Sequence, residues 1–221
     1  MTVNKNPDQF YVELLGRQKI TEHTFEIYLS RPLDFTFTPG QRIQLRYAGI
    51  ERDYTLTNAP DSEQLTLCVR RVADGRLSPL LASASFDIRL LATGPHGYFT
   101  FKSTNRCPVF IATGTGIAPF AAMARSGIAD FVLLHGVRRP EDLYYRDLFT
   151  SSAGRYIPCI SGGPLITEAY FNGRVTTYLN HHLEPMDYDF YLCGRNDMIR
   201  DVLWLVDECF PGSLVYTEIF F

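Results

Sequence analysis

The chain has 221 residues, of which 46% are hydrophobic and 20% are charged, and its formal net charge is −3 at pH 7. This size and composition are ordinary for one or two globular domains with a full core, and the slightly acidic balance argues against a nucleic-acid-binding protein. No apolar run is long enough to cross a bilayer, and the polar start lacks the apolar stretch of a secretory signal, so we expect a cytoplasmic protein without a membrane partner.

The first half of the chain is predicted to consist of short β-strands. Apolar and polar residues alternate with a period of two in residues 25–29, 42–47 and 65–69, as in strands with one buried face. Residues 78–81 predict one short helical turn between such strands. Strands at this regular spacing predict an antiparallel barrel or sandwich, which we assign to residues 1–102.

The sequence R-D-Y-T at residues 52–55 is expected on the third strand of this barrel. An arginine can hold a phosphate or pyrophosphate. Tyr54 lies two residues after Arg52, so it shares a face of the strand with it and could stack on a flat ring, whose edge the hydroxyl of Thr55 could then contact. The same residue types are also common as packing partners across strands, and both interpretations remain open at this point.

After about residue 103 the pattern becomes that of an α/β domain. Four segments are predicted as strands: residues 109–112, 131–134, 155–160 and 190–193. The first two are continuous apolar runs, as expected for parallel strands covered on both faces. Asn196 opens a helix with one apolar face. These elements predict a doubly wound, Rossmann-like parallel sheet over residues 103–221.

The loop T-G-T-G-I-A-P at residues 113–119 leads from the first of these strands to a helix predicted at residues 120–125. Glycines let the backbone approach an anion, and a helix N-terminus offers free N–H groups. Proline stands where a third glycine would complete the common dinucleotide fingerprint. The loop indicates a dinucleotide-phosphate site, with an ordinary strand-to-helix turn as the alternative.

The end of the next strand bears on which dinucleotide is used. An acidic residue there usually binds the ribose 2′-hydroxyl of NAD, whereas an arginine suits the 2′-phosphate of NADP. Arg138 and Arg139 follow this strand. The pair favours NADP(H), with two solvated arginines as the alternative.

Two further features stand near the carboxyl end of the chain. Cys193 ends an apolar strand just before Gly194, where ligands bind in open α/β folds, although a buried cysteine is often a small core residue. Glu218 stands in an otherwise apolar tail with Phe220 and Phe221, and a buried carboxylate is costly without a partner. The two phenylalanines could equally anchor the C-terminus.

The cysteines and histidines show no metal signature. None of the five cysteines stands in a C-x-x-C pair, and the spacing of a zinc site or a plant-type iron–sulfur cluster is absent. The five histidines have no convincing metal-ligand spacing either. We therefore predict no metal, and any one-electron carrier that the protein serves should be a separate molecule.

In this order along the chain, the motifs resemble those of the ferredoxin (flavodoxin)–NADP⁺ reductase family, and most of all its compact bacterial members. The resemblance covers nearly the whole chain and implies a FAD-binding barrel followed by an NAD(P)-binding α/β domain. In that family R-x-Y-[ST] binds FAD. The resemblance thus implies that Arg52 contacts the pyrophosphate, that Tyr54 packs on the isoalloxazine and that Thr55 faces flavin N5.

The remaining roles follow from the same resemblance. The family's G-x-L-S-P-x-L segment, at residues 75–81 here, wraps the pyrophosphate, and its C-G pair brings Cys193 to the nicotinamide. The implied catalytic residues are Thr55, Cys193, Glu218 and Phe220. The implied cofactor-binding residues are Arg52, Tyr54, Thr55, Val69, Arg70, Gly75, Leu77, Ser78, Gly114, Thr115, Gly116, Arg138, Arg174, Cys193, Gly194, Phe220 and Phe221. Glu218 would assist proton handling and nicotinamide placement, and Phe220 would cover the flavin until nicotinamide displaces it.

One departure from the family pattern concerns the dinucleotide. Bacterial NADPH-using members tend to have an arginine at the strand end, a Ser/Thr-Arg pair after the next strand and a Gly-Arg pair further on. Arg138 and Arg174 match the first and last of these, but the middle pair reads Ser161 and Gly162. NADH is therefore a second candidate beside NADPH.

These observations predict an enzyme with FAD that transfers hydride between NAD(P)H and flavin and passes electrons to a separate ferredoxin or flavodoxin. A reductase component of an oxygenase, or a free-flavin reductase, is an alternative with the same first half-reaction. A non-catalytic flavin-binding electron-transfer subunit or redox sensor is an alternative of another class. Cys193, Glu218 and Phe220 argue against the last, because a subunit that never meets nicotinamide has no use for them.

Overall fold

The chain divides into two compact units, each built on one six-stranded sheet. A computed structural model describes residues 9–86, 88–163 and 168–220. The units are Met1–Thr100 and Phe101–Phe221. Phe221, one of the predicted cofactor-binding residues, lies outside the described residues.

The first unit is an antiparallel β-barrel with one short helix. Its elements are β1 (Gln9–Lys19), β2 (Thr24–Ser30), β3 (Arg42–Tyr47), β4 (Ile50–Thr55), β5 (Gln64–Arg70), α1 (Leu77–Ser83) and β6 (Arg89–His96). The strand order is β4-β3-β6-β1-β2-β5, and neighbouring strands pair antiparallel. The predicted antiparallel barrel is thus confirmed. The R-D-Y-T segment lies on the fourth strand and not on the third, because β1 precedes the first strand that the alternating pattern identified.

The buried core of this barrel follows from the alternation of apolar and polar residues along its strands. In each of four strands, two residues at a spacing of two are fully buried: Val12, Leu14, Ile27, Leu29, Ile43, Leu45, Leu90 and Ala92. The hairpin between β3 and β4 turns at Ala48 and Gly49, whose φ angles are 47° and 77°. Two successive left-handed residues make the tight turn that suits the twist of a two-residue hairpin.

The second unit is a parallel α/β domain. Its strands are β7 (Cys107–Thr113), β8 (Val132–Val137), β9 (Arg155–Ile160), β10 (Phe171–Asn172), β11 (Tyr188–Gly194) and β12 (Leu214–Ile219). Its helices are α2 (Ala118–Arg125), α3 (Arg146–Ser152), α4 (Val175–His182) and α5 (Asn196–Cys209), with 3₁₀ turns at Gly114–Ile117 and Pro140–Asp142. The predicted α/β sheet is confirmed. Helix α2 begins two residues earlier than predicted, because proline is well tolerated in a first helical turn.

The order of the parallel sheet creates a crevice at one edge. The order β10-β9-β8-β7-β11-β12 places β8 to β10 on one side of β7 and the last two strands on the other. Ligands of open α/β sheets bind at such a change of direction, beyond the carboxyl ends of the two central strands. Here those strands are β7 and β11. Within the described parts of the chain, no helix is long and apolar enough to cross a membrane.

Candidate functional site

Strand β4 presents Arg52 and Tyr54 on one face. In the register with β3 they lie opposite Leu45 and Ile43, so both share the face that carries the barrel core. The ring of Tyr54 packs partly against that core, and burial raises the pKa of its hydroxyl to about 12, against a smaller opposite effect of the Arg52 charge. The phenol therefore stays protonated at physiological pH. The Arg52 guanidinium is exposed and donates to the Glu51 carbonyl at 2.7 Å.

Thr55 ends the same strand on the opposite face. It is 3% exposed, and its hydroxyl has no hydrogen-bond partner within the described residues. A buried polar group without a partner costs about 1–3 kcal/mol, so an unpaired hydroxyl of this kind indicates that a ligand atom completes the pair. This buried hydroxyl therefore fits a bound flavin as its hydrogen-bond partner.

The segment after β5 makes a tight turn before α1. The Gly75 N–H donates to the Val72 carbonyl at 3.0 Å, and the Val72 N–H donates to the Ser78 hydroxyl at 3.1 Å. A Cβ at Gly75 would lie 3.1 Å from the Val72 carbonyl oxygen, which leaves little room for any other residue. These bonds tie the backbone of residues 72–75 to the start of α1.

The residues that flank this turn have two environments. Val69 and Leu77 are each 1% exposed and belong to the barrel core. Arg70 is exposed at the end of β5. Val69 and Leu77 therefore fix the ends of the turn, and of the three only Arg70 has a side chain that can reach a charged ligand.

In the second unit, the glycine-rich turn Gly114–Ile117 packs against the end of β11. A Cβ at Gly116 would overlap the Cys193 carbonyl oxygen and lie 2.7 Å from the Gly194 Cα. Only glycine permits this approach. Because the 3₁₀ turn runs directly into α2, its N–H groups lie at the N-terminus of a continuous helical segment, which suits the phosphates of a dinucleotide.

Thr113 joins this turn to the one that follows β11. Gly194 has φ 140°, and a Cβ there would overlap the Thr113 hydroxyl. That hydroxyl accepts the Arg195 N–H at 3.1 Å. Thr113 lies within the loop predicted from the sequence, but it was not among the residues to which the sequence assigned a role.

Parallel pairing of β11 with β12 brings two predicted motifs together. Cys193 lies opposite Glu218, and the Phe220 N–H donates to the Gly194 carbonyl at 2.9 Å. Cys193 is fully buried; its burial first, and the Glu218 charge second, hold the pKa of the thiol well above its usual value of 9. The thiol is therefore neutral at physiological pH and is not an activated nucleophile.

The two arginines predicted to bind a 2′-phosphate lie on the same edge of the sheet. Arg138 follows β8, Arg174 directly precedes α4, and both are exposed. Between them Ser161 is held by its N–H and its hydroxyl, which donate to the Val137 carbonyl at 3.0 and 3.2 Å. A Cβ at Gly162 would overlap the Arg138 carbonyl oxygen. With this backbone, residue 162 has no room for a side chain, arginine included.

Both halves of the chain match known domain families. Residues 12–101 match the family of oxidoreductase FAD-binding domains, and residues 110–203 match that of oxidoreductase NAD-binding domains. Ferredoxin–NADP reductase B of Sorangium cellulosum is 36% identical over 208 residues, which cover 81% of each chain.

A second relative is longer than this chain. The 2-halobenzoate 1,2-dioxygenase electron transfer component of Burkholderia cepacia is 30% identical over 223 residues, which cover 93% of this chain. The chain spans 64% of the length of that protein, and 52% and 65% of two further relatives. The crystal structure of a ferredoxin NADP⁺ reductase from Neisseria gonorrhoeae with bound FAD and NADP superposes with a TM-score of 0.80 at 20% identity, covering 97% of this chain and 99% of that one. That likeness shows a common fold.

Proposed function

The chain belongs to the ferredoxin–NADP⁺ reductase family of FAD- and NAD-binding oxidoreductases, and from this we propose that it is an NAD(P)H-dependent flavoenzyme that passes electrons to a separate carrier. We assign FAD to residues 1–102 and the dinucleotide to residues 103–221. The observation that carries the proposal is the buried hydroxyl of Thr55, which has no hydrogen-bond partner in the part of the chain that the structure describes and which a flavin edge would complete.

In the first unit, each residue of the R-D-Y-T segment has a separate task. Bound FAD would supply the chemistry of taking up two electrons as a hydride and releasing them singly. Arg52 holds the pyrophosphate, together with the turn at Gly75 and Ser78. Tyr54, whose ring already rests on the barrel core, offers a rigid apolar surface to the isoalloxazine. The Thr55 hydroxyl orients the flavin at N5.

In the second unit, the residues orient the dinucleotide. The N–H groups of the turn Gly114–Ile117 bind its phosphates, and Arg138 and Arg174 bind the adenosine end. The neutral thiol of Cys193 contacts the nicotinamide without adding charge beside it. Glu218, opposite Cys193, holds or moves a proton, and Phe220 screens the site from water.

The electron acceptor is proposed to be ferredoxin, flavodoxin or an oxygenase component. The Sorangium relative supports a ferredoxin, since it is named as a ferredoxin reductase and is matched over 81% of its length. The similarity to dioxygenase electron transfer components supports an oxygenase partner as the second candidate.

Anaerobic stopped-flow reduction of the FAD-loaded protein, with NADPH and NADH in parallel, tests the proposal. We expect rapid bleaching of the flavin absorbance by at least one donor, followed by reduction of added ferredoxin or flavodoxin. Bleaching by neither donor would make the enzyme proposal wrong and favour a flavin-binding subunit or sensor. Tightly held FAD would argue against a free-flavin reductase, which binds flavin loosely.

The variant Gly162→Arg is expected to lower NADPH use, although it adds the arginine that bacterial NADPH-using relatives of the family tend to have. Its Cβ would overlap the Arg138 carbonyl, at an overpacking cost of about 1–3 kcal/mol, and would displace Arg138 itself. The measurement is kcat/KM with NADPH and NADH, together with Tm.

Asn172→Arg is the matched control for this variant. Asn172 is exposed at the end of β10, so an arginine there adds the same charge at this edge of the sheet without crowding the backbone. We expect this control to raise the preference for NADPH. A Gly162→Arg protein with unchanged Tm and a raised preference for NADPH would contradict the backbone argument.

A further inference from the structure

Arg195 is a charged residue beside the glycine-rich turn, and the proposed mechanism gives it no role. It directly follows Gly194 at the carboxyl end of β11, and its side chain is 67% exposed. Its N–H donates to the Thr113 hydroxyl at 3.1 Å, and Thr113 directly precedes the turn Gly114–Ile117. The Arg195 backbone is thus fixed next to the segment to which we assign the phosphates of the dinucleotide.

The turn itself offers a diphosphate hydrogen bonds but no charged side chain. Residues 107–124, which include β7, the turn and nearly all of α2, contain no Asp, Glu, Lys or Arg. The N-terminus of a helix carries only about half an elementary charge, whereas a bound diphosphate has a full negative charge on each phosphate. A cation beside the turn would therefore strengthen the site, and an arginine side chain is always positively charged in proteins.

The Arg195 guanidinium is held by an ion pair that leaves part of it open. Its Nε and Nη2 donate to the two carboxylate oxygens of Asp197 at 3.0 and 2.8 Å. Asp197 is fixed in turn, because its Oδ1 also accepts the Met198 N–H at 2.9 Å. Nη1 makes no hydrogen bond to any residue that the structure describes. A guanidinium has more N–H donors than this pair uses, so a phosphate can bind to Nη1 while the pair with Asp197 stays intact.

We propose that Arg195 binds the diphosphate that links the two nucleosides of the dinucleotide, with Nη1 as the donor. Hydrogen bonds from a guanidinium to a phosphate are charge-assisted and strong for their kind. NADH and NADPH share the diphosphate, so Arg195 adds affinity for both, unlike Arg138 and Arg174, to which we assign the adenosine end. The inference rests on the proposed function, because it takes the turn as the dinucleotide site. The alternative is a surface ion pair that contributes little.

Arg195→Gln in the FAD-loaded protein tests this contact by calorimetric titration. We expect the Kd values for NADP⁺ and for NAD⁺ to rise by the same factor, about ten-fold, which is what one hydrogen bond to a charged group supplies. ADP-ribose, which has the diphosphate but neither the nicotinamide nor a 2′-phosphate, should lose the same factor. The difference from the wild type should shrink as salt is added, because salt screens charges at exposed sites.

The double variant Arg195→Gln/Asp197→Asn separates the loss of the cation from the effect of the carboxylate that it leaves unpaired. Because the proposal attributes the affinity to Arg195, the double variant should bind as weakly as Arg195→Gln. Wild-type Kd values in the double variant would overturn the inference, since repulsion by Asp197 would then explain the loss in the single variant.

Arg200→Gln is the matched control on the same helix. Arg200 is 75% exposed and also donates through Nε and Nη2 to a neighbouring carboxylate, that of Asp201, at 3.1 and 2.9 Å. We expect this variant to change each Kd by less than about two-fold. Equal losses in the two single variants, a loss confined to NADP⁺, or unchanged Kd values in Arg195→Gln would each overturn the inference. A wild-type protein that binds neither dinucleotide would instead count against the proposed function.

Discussion

Replacing Gly116 by alanine is expected to lower kcat/KM for NAD(P)H by about 100-fold while FAD stays bound. The added Cβ would overlap the Cys193 carbonyl and lie 2.7 Å from the Gly194 Cα, so the turn and the end of β11 must separate. Overpacking against backbone costs about 1–3 kcal/mol, and each 1.4 kcal/mol is a factor of ten in affinity. In the proposed function, the same displacement moves both the N–H groups assigned to the phosphates and the thiol assigned to the nicotinamide. Stopped-flow reduction at varied NADPH measures the effect, and FAD absorbance reports the flavin content.

Gly114→Ala is the matched comparison in the same turn. At φ 55° an alanine is strained by about 1–2 kcal/mol, but its Cβ would meet nothing within 4 Å. We therefore expect a distinctly smaller loss, on the order of ten-fold. If the two alanine variants lose the same activity, the close contact between Gly116 and Cys193 is not what the turn depends on.

Removing the Thr55 hydroxyl is expected to slow flavin reduction by about ten-fold or more while the Kd for the dinucleotide changes little. In this proposal the hydroxyl aligns the flavin at N5, so Thr55→Ala removes an interaction that serves the reaction and not the binding of NAD(P)H. Without flavin the hydroxyl has no partner within the described residues. The apoprotein should therefore lose no stability in the isosteric variant Thr55→Val, because a desolvated polar group has been removed.

Three variants separate the hydroxyl from the shape of this side chain. Thr55→Ser keeps the hydroxyl and should reduce near the wild-type rate, whereas Thr55→Val keeps the shape and should be slow like Thr55→Ala. Pre-steady-state bleaching gives the reduction rate, and titration with NADP⁺ gives the Kd. A wild-type reduction rate in Thr55→Val would contradict the role in flavin reduction that is assigned to the Thr55 hydroxyl.

Short-range patterns of apolar and polar residues predicted many of the strands correctly. The alternation in residues 25–29, 42–47 and 65–69 corresponds to β2, β3 and β5, because side chains on successive strand residues point to opposite faces. Continuous apolar runs marked the parallel strands, which are covered on both faces. Strand β1 was missed, because residues 10–12 and 14–15 are apolar on both faces and hide the alternation. Its omission shifted the R-D-Y-T segment from the fourth strand to the third.

By itself, the sequence determined the class of each domain, the family, and the residues of the chemical motifs, since these depend on residue type and short spacing. The way in which these residues come together depends on strand order and register. Both are set by contacts between residues that are far apart in the sequence. They placed Cys193 opposite Glu218, and His135 opposite Ala112 near the end of β7. They also made Gly116 and Gly162 positions that only glycine can fill. Whether a glycine is required depends on the backbone that faces it, and that backbone comes from a distant part of the chain.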